Sequence, residues 1–170
     1  MIETSRLILR PHRIADFEDW YAMFRDRDLF RFISAPAPTR EDAWNRLLRY
    51  AGHWALLGYG LFAVTDRADG RFLGEVGLAD FHRGLGPDFD GVPEAAWIMT
   101  RATHGRGLAQ EAVRAAHDWL ARTHAPARTV CLIQPDNAPS LRLAQHLGYR
   151  IFGRTTYRDV PCLMLDRPGR

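Results

Sequence analysis

Two hydrophobic periodicities alternate along this chain, and their order predicts a mixed α/β domain. Short apolar runs bounded by Gly, Pro or Asp predict strands, whereas apolar residues spaced three and four apart predict amphipathic helices. The predicted strands cover residues 6–10, 61–65, 72–81, 94–99, 130–133, 151–154 and 162–165. The predicted helices cover residues 16–23, 39–58, 108–122 and 137–147. This order predicts an α/β fold with one mixed sheet of about seven strands and helices on both faces.

The connections between these elements carry their own signals. Residues 66–70 end in Asp-Gly, which is typical of a hairpin, so the flanking strands are expected to pair antiparallel. The strand, loop, helix and strand over residues 94–133 form a crossover, which predicts a parallel pair. Residues 35–38 are a Pro-rich loop. Residues 82–92 contain four turn-forming residues and predict an exposed loop that could fold over a site.

The most informative connection is the segment from His104 to Ala109, which lies between an apolar strand and a helix that opens with Gln110. Gly105 and Gly107 allow a tight turn and a close approach of the backbone to a ligand. The first N–H groups of the following helix have no partner within the helix and would point at that ligand. A diphosphate suits this geometry, and an ordinary strand-to-helix turn is the alternative.

Composition narrows the function classes. The chain has 170 residues, 46% hydrophobic and 25% charged, which predicts a single domain over residues 1–170. It contains no apolar run of membrane-spanning length and no signal-peptide pattern at the N-terminus, so we expect a cytoplasmic protein without a membrane partner. The net charge is +3, but no basic block stands out, which argues against nucleic acid as a partner. The two cysteines and seven histidines lack ligand spacing, so we expect buried thiols and no metal.

Two motifs in register with the predicted elements resemble those of a known family. The segment from His104 to Ala109 resembles a pyrophosphate loop whose usual form is Gln or Arg, two residues, Gly, one residue, then Gly or Ala; only His104 departs from it. Residues 137–140, Asn-Ala-Pro-Ser, and 147–149, Leu-Gly-Tyr, resemble a second signature. Residues 7–11, 72–78 and 94–99 resemble the strands of the same family. The chain is identified as a member of the GNAT superfamily of acyl-CoA-dependent N-acyltransferases, nearest the ribosomal-protein-alanine N-acetyltransferase-like branch.

The resemblance implies a GNAT-like fold, acetyl-CoA as co-substrate and no metal. Backbone N–H groups of the loop would hold the diphosphate, with charge from Arg106. Backbone N–H groups near Met99 would stabilise the tetrahedral intermediate, and Asn137 would hold the pantetheine or a water. The implied cofactor-binding residues are Met99, His104, Gly105, Arg106, Gly107, Leu108, Ala109, Gln110, Asn137 and Ser140.

The implied reaction is transfer of an acetyl group to a primary amine by direct attack in a ternary complex. The amine must first lose a proton, because an alkylammonium has no lone pair. The resemblance indicates Glu94 as the base, directly or through a water, with Glu75 as second choice. Either could instead be a structural carboxylate. Ser140 is the candidate that protonates the leaving thiolate, although Asn137 and Ser140 could merely cap a helix.

The acceptor is a small molecule or a protein N-terminal amine, chosen by the loops at residues 30–38 and 82–92. Acidic residues around the second loop lead to the hypothesis that it attracts a cationic amine; they are Asp80, Asp88, Asp90 and Glu94. His82 could line the acceptor pocket, and Tyr149 and Tyr157 are further hydroxyls near the site.

Two other functions compete with catalysis. One is an inactive acyl-CoA-binding regulatory module, and the other is a nucleic-acid-associated domain that uses the basic pI of about 9.2. The oligomeric state stays open, a homodimer being common among soluble enzymes of this size.

Overall fold

The computed structural model describes residues 1–30 and 38–169. Eight strands are present in these residues: β1 (Ile2–Glu3), β2 (Leu7–Pro11), β3 (Leu61–Asp66), β4 (Phe72–Ala79), β5 (Glu94–Met99), β6 (Arg128–Ile133), β7 (Arg150–Tyr157) and β8 (Val160–Pro168). The helices are α1 (Phe17–Phe24), α2 (Arg27–Phe30), α3 (Arg40–Leu57), α4 (Leu108–Thr123) and α5 (Ala138–His146), with 3-10 turns at Ile14–Asp16 and Arg101–Thr103.

The strands form one mixed sheet in the order β1-β2-β3-β4-β5-β6-β8-β7. Only β5 and β6 pair in parallel among these neighbours, as the crossover predicts. The mixed sheet with helices on both faces is therefore confirmed. The two-residue β1 is too short to leave a hydrophobic pattern, and β4 ends at Ala79 instead of continuing to residue 81.

Each face of the sheet has its own hydrophobic core. One core packs α4 and α5 against the sheet through residues such as Leu108, Val113 and Ala144. The other packs α1 and α3 against the opposite face through residues such as Trp20 and Leu47. Both cysteines are buried and neither belongs to a disulfide, in agreement with the expected buried thiols. No helix in the described residues is long and apolar enough to cross a bilayer.

The sheet splits between its two parallel strands. β5 pairs with β4 at six positions and β6 pairs with β8 at six positions. In contrast, β5 and β6 pair at only one position, Glu94 with Val130. Beyond that point the two strands diverge, and the opening between them is where the site lies.

Candidate active site

A cleft of about 820 Å³ occupies the opening between β5 and β6. Its walls are the length of β5, the end of β6, the first residues of α4 and α5, and side chains from α3. Sheet splitting of this kind exposes backbone groups that would otherwise be paired, because β5 has no strand partner on its β6 side past Glu94. The cleft thus combines an open strand edge with two helix N-termini.

The loop before α4 turns through two left-handed glycines. Gly105 and Gly107 both have φ of 72°, a conformation that other residues adopt only under strain. Gly107 is the N-cap of α4, and its carbonyl accepts a hydrogen bond from the N–H of Glu111 at 3.1 Å. The N–H groups of residues 108–110 precede this first helical bond and have no acceptor within the helix. All three residues line the cleft, so this end of it suits an anion such as a diphosphate.

The side chains of this loop contribute less to the cleft than its backbone does. His104 lines the cleft, and its Nε2 lies 3.2 Å from the carbonyl oxygen of Met99, which joins the loop to the end of β5. Arg106 is exposed and lies outside the cleft lining; its guanidinium donates to the carbonyl of Ala102 at 3.4 Å. The expected charge from Arg106 is therefore not directed into the cleft.

The second motif places a hydroxyl across the split from β5. Asn137 caps α5, because its Oδ1 accepts the N–H of Ser140 at 3.2 Å. The Ser140 hydroxyl oxygen accepts a hydrogen bond from Trp97 Nε1 on β5 at 3.2 Å. Its own hydrogen stays free to donate into the cleft, which both motif residues line. The capping role foreseen as an alternative is present, and the hydroxyl is also exposed to a ligand.

Glu94 lies at the vertex of the split and is 4% exposed. Its two oxygens accept hydrogen bonds from Arg83, at 2.7 Å from Nε and 2.8 Å from Nη2. Burial raises the pKa of Glu94; the Arg83 ion pair opposes this shift, and the negative charges of Asp80 and Asp90 add to it. The pKa is raised on balance, as a general base working near neutral pH requires.

Glu75 is buried on β4 and is held by groups from three other parts of the chain. Its Oε2 accepts a hydrogen bond from Trp20 Nε1 at 2.6 Å, and its Oε1 accepts one from the Tyr50 hydroxyl at 3.0 Å. Arg46 Nη2 and His12 Nε2 each lie 3.5 Å from one of its oxygens. Burial lowers the pKa of His12, which favours its neutral form. Glu75 is therefore the centre of a buried polar network that joins both helices of this face to the sheet.

Three arginines line the same side of the cleft, and the sequence analysis missed them. Arg46 and Arg49 come from α3, and Arg83 comes from the loop after β4. Arg46 and Arg49 are three residues apart on α3, next to the buried Tyr50. Arginines at this spacing are also typical of a helix face exposed to solvent, so the sequence alone does not single them out. Arg83 lies 4.8 Å from the centre of the Tyr157 ring, another residue of the lining.

Three of the four acidic residues near the second loop already have hydrogen-bond partners. Asp90 accepts the N–H groups of Gly84 and Gly86, both at 3.1 Å. Asp80 accepts the N–H of His82 at 2.9 Å, and Glu94 is paired with Arg83. Asp80, Asp90 and Glu94 thus hold the loop together, Asp88 is exposed, and the neighbouring cleft wall is rich in arginine. The cationic acceptor stays a prediction.

Two further candidates lie away from the cleft. The His82 side chain is 80% exposed and does not line it. Tyr149 is buried in the core, where its hydroxyl is 2.8 Å from His117 Nε2 and 2.7 Å from the Thr129 hydroxyl. Tyr157 does line the cleft. Of the two loops expected to choose the acceptor, residues 31–37 lie outside the described residues. Within the described residues, no group of three His, Cys, Asp or Glu could hold a metal ion.

Comparison with known proteins agrees with this geometry. Residues 6–150 match the family described as Acetyltransferase (GNAT) domain. A protein from Bordetella pertussis assigned to the GnaT acetyltransferase family is 38% identical, with 98% of each chain covered and a TM-score of 0.88. The Bacillus subtilis protein YnaD, an uncharacterized N-acetyltransferase, is 26% identical over 152 residues, which are 88% of this chain and 82% of YnaD.

The resemblance to the ribosomal-protein branch extends to the fold alone. The ribosomal-protein-S5-alanine acetyltransferase from Vibrio fischeri is 16% identical, with 98% of this chain and 95% of that one covered and a TM-score of 0.78. The superfamily assignment is confirmed, and the branch stays a prediction. The chain belongs to the GNAT family of acetyltransferases.

Proposed function

We propose that this enzyme transfers an acetyl group from acetyl-CoA to a primary amine by direct attack in a ternary complex. The observation that carries the proposal is the split between β5 and β6, which has unpaired helix N–H groups at one end and a buried carboxylate at the other. The two ends of β5 are about 17 Å apart, since a strand rises roughly 3.3 Å per residue. An extended thiol arm anchored at the loop would run along β5 toward Glu94.

The residues of the cleft fit acetyl-CoA in two respects. The N–H groups of residues 108–110 suit the diphosphate, and the unpaired edge of β5 offers N–H and C=O groups to an extended arm with amide bonds. The same edge would supply N–H donors to the oxyanion of the tetrahedral intermediate. Acetyl-CoA supplies the activated acetyl group, and the chain orients it and manages the protons.

Glu94 is the better candidate for the base. Burial raises its pKa, and its hydrogen bonds come from a single partner, Arg83. Glu75 receives hydrogen bonds from Trp20 and Tyr50 and has Arg46 close by, which satisfies its oxygens without a substrate. A carboxylate already surrounded by donors gains less from taking a proton. We therefore assign proton removal to Glu94, directly or through a water, and a structural role to Glu75.

Thiol release tests the proposal directly. The protein is incubated with acetyl-CoA and a broad panel of primary amines, and free thiol is measured for each. If the proposal is right, free thiol is released only in the presence of those amines that the enzyme acetylates. An inactive acyl-CoA-binding module would bind acetyl-CoA in calorimetry and release no thiol with any of them.

Ser140→Ala is expected to lower kcat about a hundredfold near neutral pH if Ser140 protonates the leaving thiolate, a typical size for general acid catalysis. A thiolate has a free pKa of about 8.5, so the loss should shrink above pH ~9, where the thiolate leaves without a proton. Ser140→Thr, which keeps the hydroxyl, should retain most of the activity. A loss that appears only in KM and does not change with pH would mean that Ser140 binds rather than protonates.

Gly107→Ala is expected to weaken CoA binding about tenfold, because relief of roughly 1–2 kcal/mol of left-handed strain would reorient the loop N–H groups. Gly70→Ala is the matched control: Gly70 has φ of 75° in a hairpin turn, and an added Cβ would meet nothing there within 4 Å. Both variants should lose similar stability, but only the first should lose affinity in calorimetry. Equal CoA affinities would argue against diphosphate binding at this loop.

A further inference from the structure

Positive charge exceeds negative charge on the side of the cleft formed by α3 and the loop after β4. Arg46, Arg49 and Arg83 line this side, and they face the carboxylates of Glu75 and Glu94. Arg83 is bound through two hydrogen bonds to Glu94, and Arg46 lies 3.5 Å from Glu75. Each of these two carboxylates thus has one arginine beside it, and the third arginine has no carboxylate of its own.

Arg49 is that arginine. No carboxylate lies within ion-pair distance of it among the described residues, and residues 31–37 include no Asp or Glu. Burial lowers the pKa of Arg49; Tyr50 and Glu75 oppose this shift, whereas the charges of Arg46 and Arg83 add to it. A guanidinium held beside two others favours an anion in the space that they share.

Among the described residues, three further carboxylates near the cleft already have partners. Asp28 also lines the cleft, but its carboxylate pairs with Arg101 at 2.5 Å. Asp80 and Asp90 accept backbone N–H groups of the loop at residues 82–92. Any anion that compensates Arg49 would therefore come with the substrate.

This arginine cluster, defined as Arg46, Arg49 and Arg83, lies on the opposite face of the sheet from the glycine loop. Glu75, which Arg46 approaches, is bonded to residues of α1 and α3, and Arg46 and Arg49 belong to α3. The glycine loop opens α4, and Ser140 opens α5, both of which pack on the other face. The cluster is thus placed for the acceptor and not for the phosphates of CoA.

We propose that the acceptor is a small primary amine that also carries a carboxylate, and that Arg49 and Arg46 bind this carboxylate. The inference rests on the proposed acetyl transfer. A guanidinium matches a carboxylate with two parallel hydrogen bonds and repels a polycation. The cleft of about 820 Å³ must also admit the thioester arm, which leaves room for a small acceptor.

The reaction leaves the carboxylate unchanged. The amine nitrogen attacks the thioester carbonyl, a C–N bond forms and the C–S bond breaks. The proton lost by nitrogen goes to Glu94, and the thiolate takes a proton from the Ser140 hydroxyl, which regains one from solvent as Glu94 releases its own to solvent. The arginine cluster only orients the acceptor, so that its amine faces Glu94.

The experiment compares each natural amino acid with its own primary amide, in which an uncharged carboxamide replaces the carboxylate, and includes spermidine as a polycation. We expect kcat/KM for the preferred amino acid to exceed that for its amide about tenfold or more, since a charge-assisted bond is lost. Arg49→Gln should reduce this ratio to within about threefold, mainly by lowering kcat/KM for the amino acid, because only the acid has a carboxylate for Arg49 to bind. Arg114→Gln, an exposed arginine on α4, is the control and should keep the full ratio.

The melting temperature of the CoA complex is also measured in the presence of each compound. The increase in melting temperature reports binding, so selectivity for the carboxylate can be measured even for a compound that is not acetylated. Equal responses to acids and amides in both measurements, or a preference for spermidine or for peptides without a carboxylate, would overturn the inference while acetyl transfer stands. Loss of acetyl-CoA binding itself would instead overturn the proposed function.

Discussion

Glu94→Gln is expected to lower kcat about a thousandfold, equivalent to about 4 kcal/mol of barrier, which is the largest loss of activity predicted for this enzyme. Glutamine keeps the size of the side chain but cannot take a proton from the acceptor amine. Binding of acetyl-CoA should change little, because the residues that suit the diphosphate lie at the other end of β5. The measurement is thiol release at saturating acetyl-CoA.

The pH profile gives this prediction a second readout. Only the deprotonated carboxylate can act as base, so wild-type kcat should rise as pH increases through the pKa of Glu94. Burial places that pKa above the ordinary value of about 4.3 for glutamate. In Glu94→Gln this rising limb should vanish, and the remaining rate should follow deprotonation of the amine alone. If kcat of the variant still rose with pH as in the wild type, the rise would belong to a titrating group other than Glu94.

A control is needed because Glu94→Gln leaves the Arg83 charge buried without its partner. The double variant Arg83→Gln, Glu94→Gln removes both charges and should recover stability without recovering kcat. Glu75→Gln in the same assay addresses the second carboxylate. A thousandfold loss in Glu75→Gln, with Glu94→Gln within tenfold of wild type, would transfer the role of base to Glu75.

The elements that build the cleft could be predicted from the sequence because each carries a local signal. The hairpin before β4 is marked by Asp-Gly, and Gly70 there has φ of 75°. The start of α4 is marked by Gly105 and Gly107, which have the left-handed backbone that this turn requires. Asn137 is marked as a helix cap by its position before a helical pattern, and it does cap α5. Such features depend on a few neighbouring residues.

The contacts inside the cleft could not be predicted in this way because they join distant parts of the chain. Glu75 is bonded to Trp20, 55 residues earlier, and to Tyr50, 25 residues earlier. Arg83 is adjacent to His82, and only the fold shows that Arg83 faces Glu94 while His82 faces solvent. The count of acidic residues around the second loop likewise does not show which of their carboxylates are already paired, as those of Asp90 and Glu94 are.

Glu75→Leu is expected to lower the free energy of unfolding by about 3–5 kcal/mol, the usual cost of removing one member of a buried charged network. Arg46 would lose its nearby carboxylate, and Trp20 and Tyr50 would each lose a hydrogen-bond acceptor. Urea unfolding followed by tryptophan fluorescence measures the loss. Tyr50→Phe removes one donor and should cost only about 1 kcal/mol, which makes it the milder comparison.

The stability of Glu75→Leu also decides how its activity is interpreted. A variant that is unstable but keeps kcat below its melting temperature assigns Glu75 to the scaffold beneath the arginine cluster. A variant as stable as wild type would contradict this structural role, because the network would then contribute nothing to folding. Coupling between Glu75 and Arg46, measured by a double-mutant cycle, should exceed about 0.5 kcal/mol if the two side chains stabilise each other across the cleft wall.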